Sequence, residues 1–293
     1  MRISTQTNVA QHRFGMPAAV RVLKEAGFDA YDFSMYHDPD KNPVFTDGWR
    51  EHLSAIKSAA DAVGIVCNQA HAPFPSSKTD EAENKAYNDT IFERLVRSVE
   101  AAAFLGAGVI VIHPVQHLPY HKNEEKLFGL NMEFYRALAP VAKKNGIKIA
   151  LENMWQTDPR RKIIWDSTCA TAAEFIRYFD TLADPDAFTC CLDLGHCGLC
   201  GHEAAEMIRA LGADRLGALH IHDNDHLRDA HTLPYLGHMD WKEIMKALGE
   251  IGYKGDFTYE ADSFLQAMPT ELLPAAYRFM AETAKVMIKM IEG

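Results

Sequence analysis

The sequence predicts a (β/α)8 barrel, a single α/β domain over residues 1–293, and three observations carry that prediction. Short apolar runs alternate with helix-patterned segments through eight units. Runs such as Val109-Ile110-Val111-Ile112 are apolar without alternation, as parallel strands covered on both faces are. From the third onward, the runs end in metal-capable residues: 65–72 in His71, 109–115 in His113, 148–154 in Glu152, 188–196 in Asp193 and His196, 218–223 in His220 and His222, and 257–262 in Glu260. Barrels of this kind place their chemistry at the C-terminal ends of the strands. Such a succession of imidazoles and carboxylates at that end points to a metal site and an enzyme.

The elements follow in order. Residues 2–6 read as the first strand and 16–26 as the first helix, closed by Gly27, which suits a left-handed C-terminal position. A strand at 30–35 precedes a helix at 49–63 that stops at Gly64. After the strand at 65–72, a long helix is expected over 80–105, with Ile91, Leu95, Val99 and Ala102 at helical spacing. Further helices are expected at 124–144, 171–178, 203–211, 241–249 and 271–291, with Asp240 as the cap of the fourth of these and Trp241 as its packing anchor. Met280, Met287 and Met290 read as packing residues of the last helix, with use in a homo-oligomer interface as an option. Residues 7–15 are expected as a loop at the barrel mouth, with His12 and Arg13 as candidate contacts to substrate hydroxyls or a phosphate. The connection 155–169, carrying Arg160-Arg161-Lys162 and Trp165, is longer than compact domains ordinarily need and is expected to be a binding loop. Trp155 and Arg161 are its candidate substrate contacts.

Composition narrows the function classes. At 293 residues and 47% hydrophobic, the chain can bury a barrel-sized core. A net charge of −10 argues against a broad nucleic-acid footprint, which needs clustered Lys and Arg. No apolar run is long enough to span a bilayer, and the N-terminus reads as a strand rather than a signal peptide, so a cytoplasmic protein is expected. Six Cys do not make a disulfide framework in a chain of this size, and Cys197-Gly-Leu-Cys200 alone is a weak metal or redox signal, read here as free thiols.

Side-chain parity gives Glu152 the same strand face as Ala150, a small residue suited to a barrel interior. His220 and His222 share parity with one another, so periodicity leaves open which binds metal. Carboxylates converging on one mouth repel unless a cation joins them. Oxygen donors with one imidazole suit Mn2+, Mg2+ or Co2+ and also accept Zn2+.

The motifs Asn68-Gln-Ala-His71-Ala-Pro73, Val111-Ile-His113-Pro114, Ala150-Leu-Glu152-Asn153 and Leu192-Asp193-Leu-Gly-His196 resemble those of the xylose isomerase-like TIM-barrel superfamily. Leu219-His220-Ile-His-Asp223, Asp229-Ala-His231, Gly237-His-Met-Asp240-Trp241 and Tyr259-Glu260 extend the resemblance nearly end to end. The superfamily holds sugar isomerases, sugar 3-epimerases, inosose-processing enzymes and endonuclease IV. From its isomerase and epimerase branch, the resemblance implies a divalent metal on Glu152, Asp193, His220 and Glu260, with His220 chosen over His222. It implies Glu152 and Glu260 as acid/base groups that move a proton next to a carbonyl through an enediolate, and His196 as a substrate contact. The substrate would be a sugar or sugar phosphate.

Two positions depart from the ketose 3-epimerases. Asp158 stands where they have Glu, and His226 where they have Arg, both substrate contacts there. The rival resemblance is to endonuclease IV, a three-zinc phosphodiesterase of abasic DNA, because His71, His113, Glu152, Asp193, His196, His220, Asp229, His231 and Glu260 match its ligand set position by position. On that reading His71, His113, His196, Asp229 and His231 are additional metal ligands. A non-catalytic barrel is disfavoured, since no ligand of the set is lost.

Overall fold

The computed structural model describes residues 1–79 and 81–292. The chain runs β1 (Ile3–Thr5), α1 (Asn8–Phe14), α2 (Met16–Ala26), β2 (Ala30–Ser34), α3 (Trp49–Val63), β3 (Val66–His71), α4 (Lys85–Leu105), β4 (Val109–Val111), α5 (Glu124–Asn145) and β5 (Lys148–Glu152). It continues with β6 (Trp155–Thr157), β7 (Ile164–Asp166), α6 (Ala172–Leu182), β8 (Phe188–Asp193), α7 (Leu194–Leu199), α8 (Ala204–Arg215), β9 (Leu216–His220), α9 (Trp241–Ile251), β10 (Phe257–Tyr259), α10 (Asp262–Gln266) and α11 (Leu273–Glu292). Six parallel strands pair in the order β2-β3-β4-β5-β8-β9, and β1 pairs with β10. Parallel bridges from Gln6 to Asp32 and from Ile221 to Tyr259 join the two groups and close the barrel.

The helices form where the sequence supplies an apolar stripe and a stop. In α2, Met16, Ala19, Val20, Leu23 and Ala26 face inward, and Gly27 at φ 105° ends the helix by donating its N–H to Leu23 and Lys24 carbonyls. Helix α11 buries Met280 and Met287 completely, while Met290 is partly exposed. Inside the barrel, Val111, Ala150, Cys191 and Ala218 make a small apolar cluster. Each lies two residues before a residue of the expected site: His113, Glu152, Asp193 and His220. The alternation of a strand then lifts those four side chains to the mouth.

Several expectations change. Residues 8–14 are a helix rather than a loop: Val9 and Ala10 are buried, and Gly15 at φ 74° separates α1 from α2. A seven-residue helix with two buried side chains leaves too little periodicity to read. The long helix begins at Lys85, after a 3-10 turn at Ala82–Asn84, and the expected start at Asp80 lies outside the described residues. The connection after β5 is an antiparallel hairpin, β6 with β7, rather than an irregular loop. Residue 196 is not on a strand. Strand β8 stops at Asp193, whose carboxylate caps α7 by accepting the His196 N–H at 2.7 Å. No helix among the described residues is long and apolar enough to cross a membrane, and all six cysteines are free.

Candidate metal centre

Strands β5, β8, β9 and β10 deliver Glu152, Asp193, His220 and Glu260 to one place, with one ligand-capable atom of each within 4.8 Å of the others. His220 Nδ1 lies 2.6 Å from Glu152 Oε1 and 2.8 Å from Glu260 Oε2. Glu152 is shared further: its Oε2 is 3.0 Å from His113 Nε2 and 3.9 Å from His71 Nε2, in neither case aligned for a hydrogen bond. Gln6 donates its side-chain N–H to Glu260 Oε1 at 2.8 Å. Asn153 and Asp193 clamp the ends of β5 and β8, with the Asp193 N–H donating to Asn153 Oδ1 at 2.7 Å and the Asn153 amide donating back to the Asp193 carbonyl at 2.9 Å.

A second cluster stands beside the first. His196, His222, Asp229 and His231 bring ligand atoms within 4.8 Å of one another. His222 Nε2 is 3.0 Å from Asp193 Oδ1, so Asp193 touches both clusters. The His222 and His231 rings stack at 4.0 Å, and His231 Nε2 lies 3.1 Å from Asp229 Oδ2. Gly195 is required here, because a Cβ at that position would fall 2.0 Å from the His222 ring. Asp223 folds the loop that carries Asp229 and His231: its carboxylate accepts from the N–H groups of Asn224, Tyr235 and Met239 and from the Trp241 indole.

The tautomers follow from the hydrogen bonds. His71, His196 and His231 each place Nδ1 against a backbone carbonyl, of Ala72, Asn153 and Glu260 respectively, at 2.7–2.8 Å. A carbonyl accepts only, so Nδ1 carries a proton and Nε2 is the nitrogen that faces the site, protonated beside the carboxylates and a lone-pair donor once that proton leaves. This is how protein imidazoles are held ready for a metal.

The electrostatics agree. Burial opposes the charged form of Glu152, yet the His220 and His113 imidazoles outweigh it and hold its carboxyl well below the usual range. Glu260 is held low in the same way by His220, against its own burial. Burial pulls His196 down, but Asp193 and Asp229 raise it well above an ordinary imidazole. Against the desolvation that lowers it, His231 is pushed up to about 10 by the Asp229 carboxylate. The carboxylates therefore call for positive charge. Glu152 Oε2, His71 Nε2 and Asp229 Oδ1 are buried with no hydrogen-bond partner. Orphaned lone pairs beside paired carboxylates are what a divalent cation would satisfy, so the residues present fit one.

Not every expected contact is brought here. His12 is exposed on α1, with its ring 5.4 Å from that of His37, and Arg13 donates to the Gln266 carbonyl. Arg161 is exposed at the hairpin turn, 3.8 Å from Asp158. Asp158 is spent on that turn, accepting the N–H groups of Arg160 and Arg161. His226 packs on α7, its Nδ1 3.2 Å from the Gly198 carbonyl. Trp155 does reach the site, edge-on to His196 at 6.4 Å, and Phe74 stacks on His113 at 4.6 Å. Trp165 packs against His121 instead. His222 completes the second cluster although the resemblance had passed it over. Its signal was its shared parity with His220.

A parallel barrel with carboxylates and imidazoles gathered at its C-terminal mouth defines the class. The chain belongs to the xylose isomerase-like TIM-barrel family, which it matches over residues 20–283. It is 26% identical over 211 residues to an uncharacterized protein of Methanocaldococcus jannaschii, covering 71% of this chain and 68% of that one. It is 27% identical over 264 residues to an uncharacterized protein of Sinorhizobium fredii, covering 84% and 81%. Among solved structures it is similar to an L-ribulose 3-epimerase (TM-score 0.74, 18% identity, 99% of this chain and 95% of that one). It is also similar to the 3-keto-D-glucoside 4-epimerase of E. coli (TM-score 0.72, 20% identity, 98% and 99%) and to the IolI protein with a bound zinc atom (TM-score 0.72, 16% identity, 98% and 98%). At these identities the likeness to solved structures establishes the fold.

Proposed function

We propose that this protein is a metal-dependent sugar isomerase or epimerase. The observation that carries the reading is the convergence of Glu152 and Glu260, from β5 and from the end of β10, on the same His220 nitrogen, with Asp193 beside them. Glu152, Asp193, His220 and Glu260 would hold the ion, Mn2+, Mg2+, Co2+ or Zn2+ by donor type. When bound, a divalent ion polarises a substrate carbonyl and so acidifies the neighbouring C–H. One glutamate, held ionised by its imidazole neighbours, takes that proton as the C–H electron pair moves toward the carbonyl. For epimerisation the other glutamate, protonated from solvent before the step, returns a proton to the opposite face and the pair resets by exchange with solvent. For isomerisation the first returns its proton to the adjacent carbon while the hydroxyl proton there passes to the former carbonyl oxygen. His196 and Trp155 line the approach and would orient the sugar. That the sugar epimerases named above share the fold over nearly the whole chain supports this reading.

The test is a panel of ketoses, aldoses and their phosphates in D2O. Turnover with deuterium entering the carbon next to the carbonyl is expected. Glu152→Gln and Glu260→Gln should each lower kcat about 10²–10⁴-fold. Variants that turn over a confirmed sugar at the unaltered rate would sink the mechanism.

A second reading rests on the second cluster, His196, His222, Asp229 and His231, together with His71 and His113 on Glu152. Several ions held this way suit phosphodiester hydrolysis of abasic DNA. The net charge of −10 weighs against it. Elemental analysis of protein purified without chelator separates the two. About one ion per chain favours proton transfer, and two or three zinc ions would make cleavage of an abasic duplex the next assay.

A further inference from the structure

Among the imidazoles of the site whose hydrogen bonds fix their orientation, His220 differs from the rest. His71, His196 and His231 are each held through Nδ1 by a neutral backbone carbonyl. His220 turns Nδ1 toward the glutamates and Nε2 down into the barrel, where it has no hydrogen-bond partner. Facing that nitrogen at 3.6 Å is Oδ2 of Asp32. Asp32 sits on β2, fully buried. A fully buried carboxylate is uncommon unless paired. Asp32 receives one side-chain hydrogen bond, from Gln69 Nε2 at 2.8 Å, while its Oδ1 has no partner. Among the described residues no Lys or Arg pairs with it, and the group that faces it is the His220 imidazole.

We infer that Asp32 is the positioning residue of the metal centre: it holds the Nε2–H tautomer of His220 and thereby leaves the Nδ1 lone pair for the ion. The inference rests on the metal-binding part of the function proposed above and adds a residue to it. An imidazole that binds a metal through one nitrogen must keep its proton on the other, and the partner of that proton fixes both tautomer and ring angle. A carboxylate in that role makes the ligand more basic than a carbonyl does, so His220 would be the strongest nitrogen donor of the site. Gln69 holds the carboxylate in turn, and β2 and β3 are hydrogen-bonded neighbours, so the support is built into the barrel wall. A shift of the ring toward Asp32 by a few tenths of an ångström would turn the 3.6 Å approach into a hydrogen bond. Asp32 would touch neither ion nor substrate.

The test uses Mn2+ or Co2+ alone on full-length protein stripped with chelator. Titration calorimetry, with the visible spectrum of bound Co2+, is run on wild type, Asp32→Asn and Asp32→Ala. Losses of orienting partners typically weaken binding about 10–100-fold. Asp32→Ala should show that loss and Asp32→Asn a smaller one, since an amide oxygen still accepts from Nε2–H. A control remote from the site, Thr171→Ala at the cap of α6, should leave this binding step in place. Affinities of both Asp32 variants within twofold of wild type would overturn the inference. If the alanine variant fails to fold, nitrogen NMR of zinc-loaded wild type decides: Nε2 of His220 protonated and Nδ1 metal-bound is expected, and the reverse overturns it. A wild-type protein that takes up no ion would instead overturn the metal reading itself.

Discussion

Glu152 belongs to both the His220 contact and the His71 and His113 contacts, so Glu152→Gln tests the centre at its most shared point. Gln keeps the shape and removes the charge. The effect is best read as metal-linked stability. An ion at 100 times its Kd stabilises the folded chain by about 2.7 kcal/mol through mass action. If loss of the shared carboxylate weakens binding 100-fold, the same ion concentration equals the new Kd, and the linked stabilisation falls to about 0.4 kcal/mol. For a domain of this size, each kcal/mol moves Tm by roughly 1.5–2 °C. A metal-induced rise of about 4–5 °C in wild type should therefore shrink to about 1 °C or less in Glu152→Gln. The assay is differential scanning fluorimetry of chelator-stripped protein with and without Mn2+ or Zn2+. Taking the difference within each variant cancels whatever the substitution does to the metal-free fold. A variant that keeps the whole rise would refute Glu152 as a ligand.

Gly195→Ala should push the His222 ring away from Asp193, with an overpacking penalty of about 1–3 kcal/mol in melting experiments and weakened binding at the second cluster on metal titration. Asp223→Ala orphans four donors that fold the loop carrying Asp229 and His231. Chemical denaturation should show a loss above about 3 kcal/mol, and protease cleavage should appear within 223–241. Thr171→Ala removes the cap that accepts the Glu174 N–H at the start of α6 and should lower stability by about 1 kcal/mol in urea. Asp225 is held down to about 2, chiefly by Arg228. Its folded pKa lies below the unfolded value of about 3.9, so its contribution is present above that pH and fades as pH falls toward 2. The stability difference between wild type and Asp225→Asn should disappear along that window, as followed by melts at stepped pH.

The sequence by itself determined the barrel and placed most of the candidate donors on its strand ends, because both depend on short-range regularities. Apolar runs without alternation, glycine stops after helices and the small Ala150 two places before Glu152 encode strand, boundary and face. The tertiary structure decided how those donors are shared. That Asp193 caps α7 and touches both clusters, and that His222 joins the second cluster while His220 serves the first, depends on contacts between residues distant in the chain. Asp32 lay within a run expected to be a strand, with nothing local to mark it, and its place beneath His220 exists only once β2 and β9 close on the same barrel. Asp158 and Arg161 show the converse. Arg161 read as a substrate contact from its place in a long basic connection, and Asp158 as a departure at a family contact position, but an antiparallel hairpin sets both at its own tip, where the Asp158 carboxylate accepts two backbone N–H groups. Periodicity is written along the chain, whereas tautomer, ligand sharing and orphaned atoms are properties of the closed barrel.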